Sequence, residues 1–412
     1  MKIKSLIPLC TLAVLSMMPT QLWAKIKITP QERQELSQMI ETALQGARSQ
    51  SLLMAHNLEV LDGRLPRTID QQGRLVTSDC YWWCSGFFPG VLWMLSEDYP
   101  QDAQLRQYAE LYTRRVEPVR KVTDNHDIGF MLGCSYGHAY RITGDESYMT
   151  ILSEGAHNLT TRFMPKAGVT KSWGSSSRWK NPVIIDNMMN LEILELVGKK
   201  ENNAEYLRIA DSHALTTMRN HYRPDFSTWH VVDYDSETGQ PVKKVTAQGF
   251  SDESAWARGQ AWGLYGYTMM YDQTGNKKYL KQARNVANYL TTRSNIPEDA
   301  IPYWDYDCTD IPNTPRDASS AAITASAYLL LSQLDKKGST AQRWWDMALR
   351  QLRSLASPAY TAYPGSARGF ILLHSTGNIP GKSEIDVPLT YADYYYVEAL
   401  LRLKKILNTL PQ

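Results

Sequence analysis

Residues 261–290, AWGLYGYTMMYDQTGNKKYLKQARNVANYL, decide how the rest of the chain is read. Apolar residues recur at helical spacing over 261–271, the polar Thr274-Gly275-Asn276 interrupts them, and a second helical pattern rich in Tyr and Ala runs over 279–290. Gly and Asn between two periodic runs predict a tight turn, so the stretch is a helical hairpin. The design recurs over 136–142 and 148–159 around Thr143-Gly144-Asp145. Weaker copies pair 189–197 with 204–218 across a turn at 198–203, and 321–334 with 341–355 across a turn at 335–338. A lone hairpin cannot bury its apolar face, so successive hairpins must stack, in an open solenoid or a closed double ring. Long loops rich in Trp, Gly and acidic residues, and the lack of polar capping repeats, favour closure. The expectation is an all-α ring of paired helices. Residues 228–245 and 300–315 read as loops, with Val231-Val232 and Pro241-Val242 forming a small hairpin at most.

Around these repeats, 43% hydrophobic and 21% charged residues in a chain of 412 describe a globular protein with a substantial core. Residues 1–24 carry Lys2 and Lys4, then an apolar run over 6–18, with Leu22 and Ala24 before the expected cut. That is a signal-peptide pattern, so the mature chain, 25–412, is expected to be periplasmic or secreted. No linker or low-complexity tract divides 25–412, which reads as one domain. A net charge of +2, from 44 basic and 42 acidic residues, argues against nucleic acid or a membrane surface as partner. Cys80, Cys84, Cys134 and Cys308 are too few and too irregular for a disulfide framework or a zinc site; Cys80 and Cys84 either pair or stay buried thiols.

Two carboxylates stand out. Asp127, in His126-Asp127-Ile128-Gly129-Phe130, and Asp186, in Ile184-Ile185-Asp186-Asn187-Met188, each precede a helix within apolar surroundings. Either one is an N-cap or a functional charge; facing one pocket, burial and mutual repulsion would leave one protonated beside one ionised partner. Trp256, Arg258 and Trp262 open the helix that runs to Tyr271, and Arg258 between two indoles reads as a bidentate clamp for a carboxylate. Trp82, Trp83, Trp173 and Trp229 lie in loops, where indole faces suit sugar rings. His126 and His230 read equally as structural residues or as site residues. No His-Glu-x-x-His, phosphate-cradling loop or Gly-x-Ser-x-Gly elbow is present, so neither metal nor nucleotide chemistry is indicated.

Across nearly the whole mature chain these motifs resemble glycoside hydrolase family 88, the unsaturated glucuronyl hydrolases. The resemblance rests on Trp83-Cys84-Ser85-Gly86-Phe87-Phe88-Pro89-Gly90, the motifs around Asp127 and Asp186, the run from Gln248 to Trp262, and Ser383-Glu384-Ile385-Asp386-Val387-Pro388 followed by the tyrosines from Tyr391 to Tyr396. It implies an (α/α)6 barrel with a deep pocket at one end. The implied reaction hydrates the C4=C5 bond that polysaccharide lyases leave in a terminal uronate. By resemblance Asp186 is the general acid/base: it protonates C4 and deprotonates the water that attacks C5, and the resulting hemiketal opens to release the neighbouring sugar. Asp127 is the second essential carboxylate, stabilising positive charge. His230, Gln248, Trp256, Arg258 and Trp262 line the pocket, with Trp82 or Trp83 as a further wall. Residues 368–382 are a sulfate-contacting segment by the same resemblance, through Ser375 and Lys382, although they lack a clear match to the family's serine-and-lysine pattern.

The expected partner is therefore an unsaturated uronic-acid oligosaccharide from a glycosaminoglycan, with no cofactor and no metal. Two rivals stand beside this reading: a rhamnogalacturonyl hydrolase acting on pectin fragments, and a noncatalytic periplasmic glycan-binding protein.

Overall fold

The computed structural model describes residues 26–410, so the expected signal segment lies outside them. The helices are α1 (Pro30–Glu59), α2 (Phe87–Asp98), α3 (Ala103–Val116), α4 (His138–Thr143), α5 (Glu146–Thr160), α6 (Asn187–Lys200), α7 (Ala204–Asn220), α8 (Ala257–Thr274), α9 (Lys277–Thr292), α10 (Ala318–Leu334), α11 (Gly338–Leu355) and α12 (Thr390–Thr409). A π-helical segment, Gly129–Gly137, leads directly into α4. The hairpin turns work as their sequences predict. Gly275 takes φ +67 and returns its N–H to Tyr271, and Asn276 then caps α9 by accepting from the Lys278 amide. Gly144 at φ +69 and Asp145, accepting from the Ser147 amide, repeat the device between α4 and α5.

The two members of each hairpin face different surroundings. On α11 the buried residues Ala341, Trp344, Trp345, Ala348, Leu349, Leu352 and Leu355 form one stripe, the pattern of a helix with one wet face. Burying each large side chain of such a stripe contributes roughly 1.5–3 kcal/mol. On α8 every residue from Ala257 to Met270 is buried, and on α10 every residue from Ala318 to Leu329. Helices buried on all sides belong inside a double ring. The contacts bear this out: α2 packs on the π-helical segment, that segment on α6, α6 on α8, α8 on α10, α10 on α12, and α12 back on α2. Outside this closed circle α3, α5, α7, α9, α11 and α1 each back one inner helix. This is the expected (α/α)6 barrel.

Close packing in the inner ring depends on small residues. A Cβ added at Gly90 of α2 would lie 2.3 Å from the Cys134 carbonyl oxygen and 2.6 Å from the Tyr394 ring. We expect Gly90→Ala to lower stability by about 1–3 kcal/mol, read as a reduced urea midpoint at unchanged slope.

Strands are few. β1 (Leu65–Ile69) pairs with β2 (Leu75–Ser78), and β3 (Phe163–Met164) with β4 (Val169–Thr170), both antiparallel. β5 (Pro182–Ile184), β6 (Val231–Tyr234) and β7 (Pro241–Val245) form one antiparallel sheet with Ile184 opposite Val231 and Val231 opposite Val245. The hairpin of β6 and β7 matches the sequence expectation; β5 was not foreseen, because Pro182 to Ile184 is too short to show a period of two. The four described cysteines are free, so Cys80 and Cys84 are buried thiols. Among the described residues no helix is long and apolar enough to cross a membrane.

Candidate active site

The site lies where the inner helices begin. β5 runs straight into α6, and the Ile185 amide still bonds the His230 carbonyl at 3.0 Å, so Asp186 falls on a strand-to-helix corner. Its carboxylate does not cap α6, and Oδ2 makes no hydrogen bond within the protein. Asp127 precedes the π-helical segment in the equivalent place on the neighbouring inner helix, its own amide held at 2.9 Å by Asn125 Oδ1. The side chains of Asp127 and Asp186 remain 15% and 11% exposed, so solvent reaches both. Burial pushes each up to about 7; the charge of Asp127 raises Asp186 further, while the nearby Arg258 guanidinium pulls it down. Titration therefore belongs to the pair, with one proton held near neutrality.

The histidines beside them are neutral. Burial holds His126 down to about 3 and His230 well below the ordinary range. His230 Nδ1 accepts from the Ala247 and Gln248 amides at 3.1 and 3.2 Å, which places the ring hydrogen on Nε2. That N–H faces Asp186 Oδ2 at 3.8 Å, too long for a hydrogen bond, while the ring lies 4.5 Å from Trp256. His126 Nε2 stands 3.5 Å from Asp127 Oδ2.

Several expected roles change once the partners are visible. Arg258 is 1% exposed and spends both terminal nitrogens on the carbonyls of Thr376 and Gly377, each at 2.6 Å, with Asp317 at 3.6 Å. Its Nε makes no hydrogen bond, and the two terminal nitrogens that a bidentate clamp would use are already engaged by the protein's own backbone. Gln248 Nε2 reaches the same Gly377 carbonyl at 3.3 Å. Trp256 carries the Arg258 guanidinium 4.4 Å above its ring. Trp262 is 0% exposed, packed on Phe130 and Tyr395, and turns its unbonded indole N–H toward Asp186. It supplies a donor and no open wall. Trp83 packs 4.8 Å from Tyr391 and 5.6 Å from Phe130, joining three inner helices; Trp82 carries Arg67 at 3.9 Å.

Ser375 and Lys382 are separated. Ser375 is 0% exposed and pairs with Val387 at the base of a hairpin, whereas Lys382 is exposed beyond the Asn378 to Ser383 pairing near its tip. Sequence reasoning gave no role to Asn190, Tyr391, Arg67 and Glu384. Asn190 and Tyr391 are buried at this end with Nδ2 and the hydroxyl unbonded, and Arg67 pairs with Glu384 at 2.5 Å. Asn190 lies four residues after Asp186 on α6, the one signal that would have placed it on the same helix face. Among the described residues no three His, Cys, Asp or Glu side chains come together so as to hold a metal ion.

The shared proton makes a stability prediction with a definite sign. An unfolded Asp titrates near 3.9, so between about pH 4 and 7 the native pair holds more protons than the unfolded chain. The stability this contributes is complete below pH 4 and is lost as pH rises through 7. Asp186→Asn removes that loss, so its melting temperature exceeds the parent's at pH 8 and matches it at pH 4, as calorimetry at the two pH values will show.

A closed ring of paired helices thus carries two protonatable carboxyls among aromatic rings at one end, equipment suited to acid/base work on a sugar. The chain is 41% identical over 327 residues, 79% of its length and 80% of the relative's, to an unsaturated glucuronyl hydrolase from Formosa agariphila. It is 32% identical over 329 residues, 78% of its length and 81% of the relative's, to an unsaturated chondroitin disaccharide hydrolase from Streptococcus agalactiae. A crystal structure of an unsaturated glucuronyl hydrolase specific for heparin superposes with a TM-score of 0.87 at 43% identity, covering 91% of this chain and 100% of that one. No family model matches the chain. The chain belongs to the unsaturated glucuronyl hydrolases, a glycoside hydrolase family.

Proposed function

We propose that the protein removes the terminal 4,5-unsaturated glucuronic acid from lyase-generated glycosaminoglycan oligosaccharides, with Asp186 as general acid/base and Asp127 as its ionised partner. One observation carries this reading. Asp127 and Asp186 begin neighbouring inner helices, Asp186 feels the charge of Asp127, burial pushes both up to about 7, and neither lies within ion-pair distance of a Lys or Arg among the described residues. A carboxyl that is protonated at working pH can give a proton to C4. The same group, once ionised, takes a proton from the water that adds to C5, so the pair returns to its starting state. The hemiketal at C5 then opens and the neighbouring sugar leaves with its own oxygen. The Trp262 N–H and, at longer range, the His230 Nε2–H face the Asp186 carboxyl, and Trp83, which keeps part of its surface exposed, offers an aromatic face to the sugar.

The N-terminal pattern supports export of a single catalytic domain, residues 25–412, to the periplasm or medium. Unsaturated disaccharides from heparin, chondroitin, hyaluronan and pectin test the substrate, followed by loss of ultraviolet absorbance from the C4=C5 bond. Turnover of the glycosaminoglycan products is expected; turnover of the pectin product alone would replace this reading with the rhamnogalacturonyl one, and binding without turnover with a glycan-binding one.

A further inference from the structure

The two carboxyls stand on different helices, and one side chain joins those helices directly behind them. Asn190 is 1% exposed, one turn along α6 from Asp186. Its Oδ1 accepts from the Phe130 amide at 2.8 Å, within the first turn of the π-helical segment that follows Asp127. The approach is tight, since a Cβ on Gly129 would lie 2.6 Å from both Asn190 Cα and Oδ1. With Oδ1 fixed by a donor, the amide orientation is determined and Nδ2 carries the hydrogens. Nδ2 makes no bond of hydrogen-bond geometry within the protein and faces the Asp127 carboxylate, favouring its charged form.

We infer that Asn190 is a positioning residue for the reaction: its carbonyl locks the π-helical segment to α6, and its N–H holds Asp127 in line with Asp186. The inference rests on the proposed roles of the two carboxyls. A purely architectural asparagine would need only its carbonyl, and the outward amide would be free to change; here the second half of the same group is buried, has no other partner and is turned toward the carboxylate. π-Helical turns are rare and gather at functional sites, and this one begins two residues after Asp127.

Asn190→Asp separates the two halves. Its carboxyl still accepts from the Phe130 amide, so the fold is kept, but the amide donor is replaced by a second titratable carboxyl whose negative charge, once ionised, opposes that of Asp127. We expect kcat to fall by about 10²-fold with KM changed far less. Like-charge repulsion also moves the acid limb of the kcat profile upward by about one pH unit. On an Asp127→Asn background the same substitution adds little, because the residue acts through Asp127. Asn190→Ala removes both halves and lowers the melting temperature as well as kcat. The inference is overturned if Asn190→Asp keeps the parent's kcat and pH profile, if its effect adds fully to that of Asp127→Asn, or if both variants lose folded protein while residual activity keeps the parent profile. An inactive parent would instead sink the reading of the reaction; an active parent with an indifferent Asn190→Asp sinks only the role of Asn190.

Discussion

Asp186→Asn will lose about 10³-fold in kcat on an unsaturated glycosaminoglycan disaccharide while still binding it. The amide is nearly the same shape, sits on the same corner between β5 and α6, and disturbs no capping bond, because the native carboxylate makes none. What it lacks is a proton to give to C4 and a base to take one from water. Stopped assays of the double-bond absorbance measure the loss, and calorimetric titration with the disaccharide measures the retained affinity. A variant with more than a tenth of the parent's kcat would remove Asp186 from the role of general acid/base.

Arg258→Met will be the most destabilising single change at this end of the ring, by about 3–5 kcal/mol. Methionine fills the space over Trp256 but leaves the Thr376 carbonyl without its donor, the Gly377 carbonyl with only the longer bond from Gln248, and the fully buried Asp317 without its cation. Against a total stability of about 5–15 kcal/mol, the loss is visible as a large fall in urea midpoint. The segment after Ser375 is then released, and Asp186 loses a nearby positive charge that holds it down, so residual activity should also show a more alkaline ionisation. Arg258→Lys restores the charge but cannot reach both carbonyls with one nitrogen, and recovers only part of the stability.

The hairpin boundaries were legible because local chemistry dictates them. Gly275 and Asn276, or Gly144 and Asp145, terminate one helix and start the next whatever surrounds them. That a helix follows Asp127 was legible, yet its π-helical winding was not, since the side chain involved at its first turn, Asn190, comes from another helix. The same limit explains Arg258. Its position between two tryptophans pointed to a carboxylate ligand, and residues 118 and 119 places further along the chain supply the carbonyls that take its N–H groups instead. Ser375 and Lys382, near in sequence, part company because one lies at the base of a hairpin and the other near its tip.

Sequence by itself determined that this is a chain of stacked helical hairpins, that Asp127 and Asp186 each precede a helix, and that its motifs are those of one hydrolase family. These follow from periodicity, turn chemistry and motif order, which act over a few residues at a time. Only the tertiary structure decided which polar groups remain free to act. Ring closure brings helix starts from residues 86 to 390 to one end, and there burial raises two carboxyls, fixes the hydrogen of His230 on Nε2, turns Arg258 onto the backbone and sets Asn190 behind Asp127. Hydrogen-bond partners and desolvation are properties of neighbours in space, and a linear order does not contain them.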